Sequence, residues 1–392
     1  MLYFKNDKLI FDKGRCCQCG TCLASCPDGA LKTILQADGL SLIEWDANLC
    51  IRCEICFTVC PARKLPDNPL TDQNWANLKG AFLVFPRDNE QRFRGSSGGV
   101  ARTLLASLVN RGLVDCAYGL RKSSRYPWAE GRFWNPPVQS SQIPGSMYLP
   151  IMANKNLKLR TATRTLLVIG LPCQLLGAEE LLKNQVQCIY KVAILCKQQK
   201  TLGFLYFIAK RLGISFNPES DMEISFRGAG WPGNFTIGSK TMPYDQAASL
   251  PFGKRLWRVP GCLFCPNPSG GNADLTLADP WGIEKPGTLG KTLTLAWTKE
   301  GQDLLEQNKE LIEIEPIDVI YAKKSLDWSG MQRKQRLMDY YLGREVSFRV
   351  MLGGIGERIQ TKLYETFLNR FRLPELGYKI LTHLPDLGGI AK

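Results

Sequence analysis

The sequence predicts an α/β domain, a mixed sheet with flanking helices, preceded by a small cysteine-rich domain and followed by a helical tail. Three observations carry this. Nine of the 15 cysteines crowd into the first 60 residues. From residue 80, short apolar strand patterns alternate with helical ones, the signature of an α/β layer. Beyond residue 330, apolar residues recur at every fourth position in a basic stretch, as on an amphipathic helix. The boundaries are placed at 1–70, 71–330 and 331–392.

In the first segment, Cys16-x-x-Cys19-x-x-Cys22-x-x-x-Cys26-Pro27 recurs as Cys50-x-x-Cys53-x-x-Cys56-x-x-x-Cys60-Pro61. Three thiolates at this spacing wrap one face of an iron–sulfur cube, and the fourth, before proline, serves the other cube. The spacing assigns Cys16, Cys19, Cys22 and Cys60 to one 4Fe–4S cluster and Cys50, Cys53, Cys56 and Cys26 to a second. The doubled run closely resembles bacterial two-cluster ferredoxins. Cys17 falls outside the spacing and reads as a spare thiol. The polar, proline-bearing "ARKLPDNPLTDQNWANLKG" that follows marks a linker. Cysteines in metal-binding spacings, rather than dispersed, suit a reducing compartment. The opening residues lack a signal-peptide core. No run reaches the ~18 apolar residues of a membrane-spanning helix. A cytoplasmic protein is expected.

In the second segment, "GAFLVF", "LVDCAYGL", "TLLVIG" and "CIYKVAILC" read as strands. "GGVARTLLASLVNRG" sets Val100, Leu104, Leu105 and Leu108 on one helical stripe, with Gly112 as the stop. "EELLKN" and "TLGFLYFIAKRLG" are helical patterns. The loop "RGSSGGV" opens the first helix with small residues, which lets backbone N–H groups approach an anion; an ordinary glycine-rich turn would look the same. It is not a dinucleotide fingerprint.

Six cysteines lie beyond the repeat. Cys116 and Cys188 sit among strand residues and read as inert buried thiols. "LLVIGLPCQLLG" reads as a strand ending at Gly170, a turn through Pro172 and a helix after Gln174, with Cys173 in the turn. Cys196 also follows a strand, and strand C-termini of an α/β sheet share the edge where ligands gather. Cys262-x-x-Cys265 lies in a loop. Spacing alone leaves a third cluster and unrelated structural thiols equally open.

A resemblance bears on that choice. "GSSGGVARTLLASLVNRGLVD", "IGLPCQLLGAEELL", "ILCKQQ", "SFRGAG", "CLFCPNPSGGNADLTLADPWG" and "GKTLTLAWTKEGQDLL" occur in order over residues 80–305. The set is similar to the beta subunit of coenzyme F(420)-reducing hydrogenase and its relatives, which extend to beta chains of certain formate dehydrogenases and reductases of chlorophyll precursors. The resemblance implies an FAD-binding α/β domain with its own 4Fe–4S cluster, three clusters in all. It implies Cys173, Cys196, Cys262 and Cys265 as the ligands of the third. It places the flavin phosphates on the loop Gly95, Ser96, Ser97, Gly98 and Gly99; Arg94 and Arg227 are the next candidates for the anion. Relatives commonly carry Gly-Asp where this chain has Ala278-Asp279, which puts the conformation of that turn in question. No catalytic side chain is assigned.

The last segment places Ile355, Ile359, Leu363, Phe367 and Phe371 at intervals of four, and between residues 331 and 372 nine Lys or Arg face four Asp or Glu. Such a helix can lie on an anionic membrane or dock a partner, but packing on the protein's own core is the reading favoured. His383, the one histidine, falls in a C-terminal loop with no companion ligands. The net charge of +14 raises nucleic acid as a partner; the bases are scattered and no basic-aromatic motif appears, so none is expected. The expected function is an iron–sulfur flavoprotein oxidoreductase. It would pass electrons between a redox partner (ferredoxin, hydrogenase or dehydrogenase), its clusters, and a small two-electron substrate at FAD, with coenzyme F(420) the first candidate. The alternatives are a relay subunit without a substrate site, and a ferredoxin-dependent reductase of a tetrapyrrole-like or other small molecule.

Overall fold

A computed structural model of the chain describes residues 2–5, 8–12, 14–63, 75–159, 162–265 and 268–386; the expected linker lies mostly outside them. Two hairpins open the chain: β1 (Leu2–Lys5) with β2 (Lys8–Phe11), and β3 (Leu31–Leu35) with β4 (Ser41–Trp45). Each copy of the cysteine run carries one short helix, α1 (Thr21–Ser25) and α2 (Ile55–Thr58).

The central sheet combines β5 (Gly80–Pro86), β6 (Cys116–Lys122), β7 (Ala129–Trp134), β8 (Thr165–Gly170) and β9 (Cys188–Ile194). A small antiparallel sheet follows, β10 (Ile224–Ser225), β11 (Asn234–Ile237) and β12 (Lys240–Pro243), before the last three large-sheet strands, β13 (Leu275–Ala278), β14 (Thr292–Ala296) and β15 (Ile312–Pro316). The large sheet has eight strands in the order β15-β5-β14-β13-β9-β8-β6-β7. Its centre, β6, β8, β9 and β13, is parallel, and its flanks are antiparallel. The mixed sheet expected from the sequence is present. Its middle strands β8 and β13 are mostly Leu, Ile, Val and Ala because both faces are covered.

Helix α3 (Asn89–Arg94) leads into the small-residue loop, and α4 (Val100–Asn110) follows it. The predicted stripe Val100, Leu104, Leu105 and Leu108 is fully buried against one sheet face, and Gly112 ends the helix at φ +67°, a conformation glycine adopts freely. On the other face lies α5 (Pro172–Leu182), beginning three residues earlier than the sequence suggested. Proline's fixed φ suits the first helical turn, and the Gln174 side chain accepts the Leu171 N–H at 2.8 Å. Cys173 therefore sits in the helix, not in the turn. A second core gathers α6 (Leu202–Leu212), α7 (Tyr244–Gly253) and the small sheet. Cys262 lies in a 3₁₀ turn, Pro260–Phe264, rather than an open loop.

Helices α8 (Lys299–Glu306) and α9 (Val319–Ser325) complete this region, and the tail forms α10 (Trp328–Tyr341), α11 (Phe348–Arg370) and α12 (Pro374–His383). The favoured packing of the tail's apolar stripe is overturned for most of its length. Ile355, Ile359 and Leu363 are exposed; of the five, only Phe367 packs on the second core, stacking on Phe371 at 4.6 Å. Val350, Gly353, Gly354, Glu357 and Gln360 are buried instead. His383 closes α12 instead of lying in a loop, and Ala278, the departure from the family pattern, is an ordinary last residue of β13. Its backbone is not left-handed; Gly282, at φ +77°, takes the turn.

Candidate functional site

The two copies of the cysteine run share backbone as well as spacing. Gln18 and Gly20 in the first, and Arg52 and Glu54 at the matching places in the second, are left-handed, with φ between 55° and 83°. Non-glycine residues hold that conformation at a cost of about 1–3 kcal/mol each, and such strain concentrates at functional sites. The result is two cavities. One, about 410 Å³ including its open mouth, is lined by Cys26, Cys50, Cys53 and Cys56. The other, about 390 Å³, is lined by Cys16, Cys17, Cys19, Cys22 and Cys60. The fourth cysteine of each run has crossed to the other's cavity, as the spacing required.

Donors point at these sulfurs. The Gln18 backbone and side-chain N–H groups reach Cys16 Sγ at 3.4 and 3.5 Å, Thr21 Oγ1 reaches Cys19 Sγ at 3.3 Å, and the Ala30 N–H reaches Cys26 Sγ at 3.2 Å. Burial, then neighbouring thiols, pushes Cys56 up to about 12; burial, then Cys19, pushes Cys60 up to about 11. Among the described residues no three His, Cys, Asp or Glu side chains converge as the ligands of one metal ion. Thiols ringed around a cavity and bonded by N–H groups instead fit a bulky anionic cluster.

Cys173, Cys196, Cys262 and Cys265 also come together. Cys173 stands above β8 and Cys196 two residues past β9, the paired strand ends of the parallel centre. Cys265 acts electrostatically on Cys173, Cys196 and Cys262, and the Gln199 N–H reaches Cys262 Sγ at 3.3 Å. This nest abuts the first. A β-carbon on Gly261 would meet Cys16 O at 2.1 Å, and one on Gly177 would meet Thr21 Oγ1 at 2.2 Å. Cys17, read from the sequence as a spare thiol, stands where the thiols of Cys173 and Cys19 act on it. Cys116 is buried and Cys188 half-buried, each at the first position of its strand, away from these sites.

Three basic side chains, Lys334, Lys200 and Arg258, lie close to the third nest. Lys334 acts on Cys196 and Cys262, and its Nζ donates to Lys197 O at 2.8 Å. Lys200 is wholly buried, donates to Pro251 O and Leu256 O at 2.8 Å each, and has its pKa driven well down by burial. Glu357 joins Arg255, Arg258 and Arg333 at 3.2, 2.8 and 3.4 Å.

The loop Gly95–Gly99 is held from several sides. Arg227, buried, donates to Ser96 O at 2.7 Å, Pro232 O at 2.7 Å, Tyr148 Oη at 3.2 Å and Asp279 at 2.9 Å. Four of its five N–H bonds are thereby engaged; Arg227 clamps the loop rather than offering itself to a ligand. Arg94 is exposed and paired with Glu90. A β-carbon on Gly98 would meet Lys291 Cα at 3.1 Å and Gly290 O at 3.2 Å, the protein's own backbone. Sequence reasoning missed Arg102, in the first turn of α4, whose buried Nε has no hydrogen-bond partner among the described residues. It also missed the aromatic group about Arg227: Trp231 and Tyr244 under its guanidinium, and half-exposed Trp281 against Trp231 at 4.7 Å. The three glycines of "RGAGWPG" were the available signal.

A large mixed sheet carrying cysteine nests at its strand ends defines a class of iron–sulfur α/β proteins. Residues 81–158 and 163–319 match the N-terminal and C-terminal parts of the coenzyme F(420) hydrogenase/dehydrogenase beta subunit, and residues 42–65 match a 4Fe–4S binding domain. The two beta-chain matches span more than half of the sequence, and the protein belongs to the family of coenzyme F(420) hydrogenase/dehydrogenase beta subunits, which are oxidoreductases. A curated relative, a component of the F(420)H(2) dehydrogenase of Methanosarcina mazei, is 26% identical over 200 residues, 47% of this chain and 53% of that one. The match spans about half the length of that relative. A chain of the F(420)-reducing [NiFe] hydrogenase complex from Methanosarcina barkeri is 16% identical with a TM-score of 0.48, covering 69% of this chain and 96% of that chain.

Proposed function

We propose that the chain is an iron–sulfur flavoprotein that exchanges single electrons with a redox partner and two electrons with a small organic substrate, a deazaflavin of the coenzyme F(420) type. The observation that carries the reading is the sorting of the nine cysteines of the first 60 residues into two cavities, four in one and five, Cys17 included, in the other, beside a third set of four at the sheet edge. Cys16, Cys19, Cys22 and Cys60 would hold one 4Fe–4S cluster, Cys26, Cys50, Cys53 and Cys56 the second, and Cys173, Cys196, Cys262 and Cys265 the third. The loop Gly95–Gly99, the N-terminus of α4 and the unpartnered Arg102 Nε suit an anionic group such as the FAD pyrophosphate. When bound, such a flavin supplies the conversion between one-electron and two-electron traffic. The chain's part is positional. Arg227 and Asp279 fix the loop, Trp231 and Trp281 present apolar rings beside it, and Cys53, exposed among Leu49, Ile51 and Ile55, gives the partner its approach.

The name of the curated relative supports the choice of substrate. Anaerobically reconstituted protein should hold about twelve iron atoms, four per cluster, and one FAD. Eight would remove the third cluster. For the flavin, Arg102→Ala is the informative variant, since Gly98→Val would disturb the loop's own packing. Losing one charge-assisted contact, about 1.5–3 kcal/mol, should weaken FAD retention roughly tenfold to a hundredfold by equilibrium dialysis, with iron content unchanged. Unchanged FAD affinity would remove Arg102 from the site.

A further inference from the structure

Helix α11 carries an apolar stripe on its outer side, where a core helix would be polar. Phe348, Leu352, Ile355, Ile359 and Leu363 are each 39–67% exposed. At about 100° per residue they fall within a single arc of roughly 80° and extend about 22 Å along the axis. The opposite arc, Val350, Gly353, Gly354, Glu357 and Gln360, is the buried one. Small residues and a shared carboxylate along the first part of the helix, and Phe367 and Leu368 near its end, seat it on the protein. Leu373, Leu376, Ile380 and Leu384 at and around α12 are 40–60% exposed.

Charge on this hairpin is segregated too. The acids between residues 348 and 386 are four, and each is engaged with the protein. Glu357 binds three arginines, Glu365 accepts the Trp257 N–H, Glu375 binds Arg211 at 2.6 Å and Asp386 binds Arg255. The bases are Arg349, Arg358, Lys362, Arg370, Arg372 and Lys379, and all six are exposed. The outer surface is therefore aliphatic and cationic, with its acids withdrawn.

We propose that the outer face of α11, continued by α12, rests on an anionic lipid bilayer and holds the protein to a membrane surface. A leucine–isoleucine stripe bordered by Arg and Lys is the pattern of helices that lie in the headgroup plane, where the bases meet lipid phosphates. Buried cores of protein interfaces are rich in aromatics and methionine, and here a single aromatic, Phe348, lies on the stripe. The net charge of +14 points the same way. No helix among the described residues is long and apolar enough to cross a membrane, so the attachment is peripheral. It is independent of which substrate the protein reduces.

The test is co-sedimentation of the full-length holoprotein with phosphatidylglycerol–phosphatidylcholine vesicles and with pure phosphatidylcholine vesicles. Binding should be confined to the anionic vesicles and should fall as salt is raised. The double variant Ile359→Glu/Leu363→Glu should bind at least about tenfold more weakly, since two large aliphatic side chains no longer enter the lipid. Its iron content and melting curve should match the parent's, because both positions are exposed. Absence of binding to anionic vesicles overturns the proposal, as does equal binding to both vesicle types. So does light scattering that shows a dimer dissociated by the double variant, which would make the face a contact between two copies of the chain.

Discussion

The cavities of the first 60 residues and the nest at the sheet edge each gather cysteines, four in one cavity, five in the other and four at the nest, by opposite means. The first two are written locally, in a spacing and in left-handed turns at Gln18, Gly20, Arg52 and Glu54. The third is assembled from three segments that meet only because β8 and β9 are parallel neighbours and a 3₁₀ turn closes over their ends. A local nest needs little of the rest of the molecule. An assembled one depends on every element that brings its parts together, and glycines mark where those elements press.

The sharpest way to break this distinction is to remove ligands. Cys173→Ser and Cys265→Ser should each lose about four of twelve iron atoms while the paramagnetic resonance signals of the two local clusters persist. Cys116→Ser should lose none. Full iron in Cys265→Ser, or lost iron in Cys116→Ser, would mean that the third set is wrongly drawn.

A smaller effect should come from the seam. Gly261→Ala places a β-carbon 2.1 Å from Cys16 O, and overpacking of this kind costs about 1–3 kcal/mol, read as a lower denaturant midpoint. Gly253→Ala, with no heavy atom within 4 Å, should gain about 0.4–1 kcal/mol. Equal midpoints for the two variants would show that the nests do not bear on one another.

The smallest effect concerns Cys17. Its thiol stands beside Cys19 and Cys173, and a hydrogen bond to a ligand sulfur favours the reduced, more negative cluster. Cys17→Ala should keep all the iron and lower one cluster's midpoint potential by about 59 mV, a tenfold change in its one-electron equilibrium. Cys17→Ser, which keeps a donor, should recover most of that shift. Identical potentials in all three proteins would return Cys17 to the role of a spare thiol.

How much of this was legible follows from the same contrast. The doubled spacing, the strand–helix alternation from residue 80 and the buried stripe of α4 could be read directly, because each is a relation among near neighbours. The start of α5 was misplaced because the side chain of Gln174, rather than a chain-breaking residue, organises that turn. For α11 the period was right and the face was wrong. Periodicity says that a helix has two sides, and only Glu357, bound by arginines 24 to 102 residues away in sequence, decides which side is inward. The pairing of Arg227 with Asp279 and the lone Nε of Arg102 belong to that tertiary class as well.

The Glu357 cluster also sets a schedule for biogenesis. The eight cysteines of the first two cavities leave the ribosome within the first 60 residues, so nascent chain can begin loading there early. The third cannot settle so soon. Until residue 357 has been synthesised, Arg255, Arg258 and Arg333 lack their shared carboxylate, Arg258 acts on Cys262, and uncompensated buried charge is strongly destabilising. The segment that carries Cys262 and Cys265 is therefore expected to reach its final packing only when the C-terminal hairpin has folded back to neutralise the arginines.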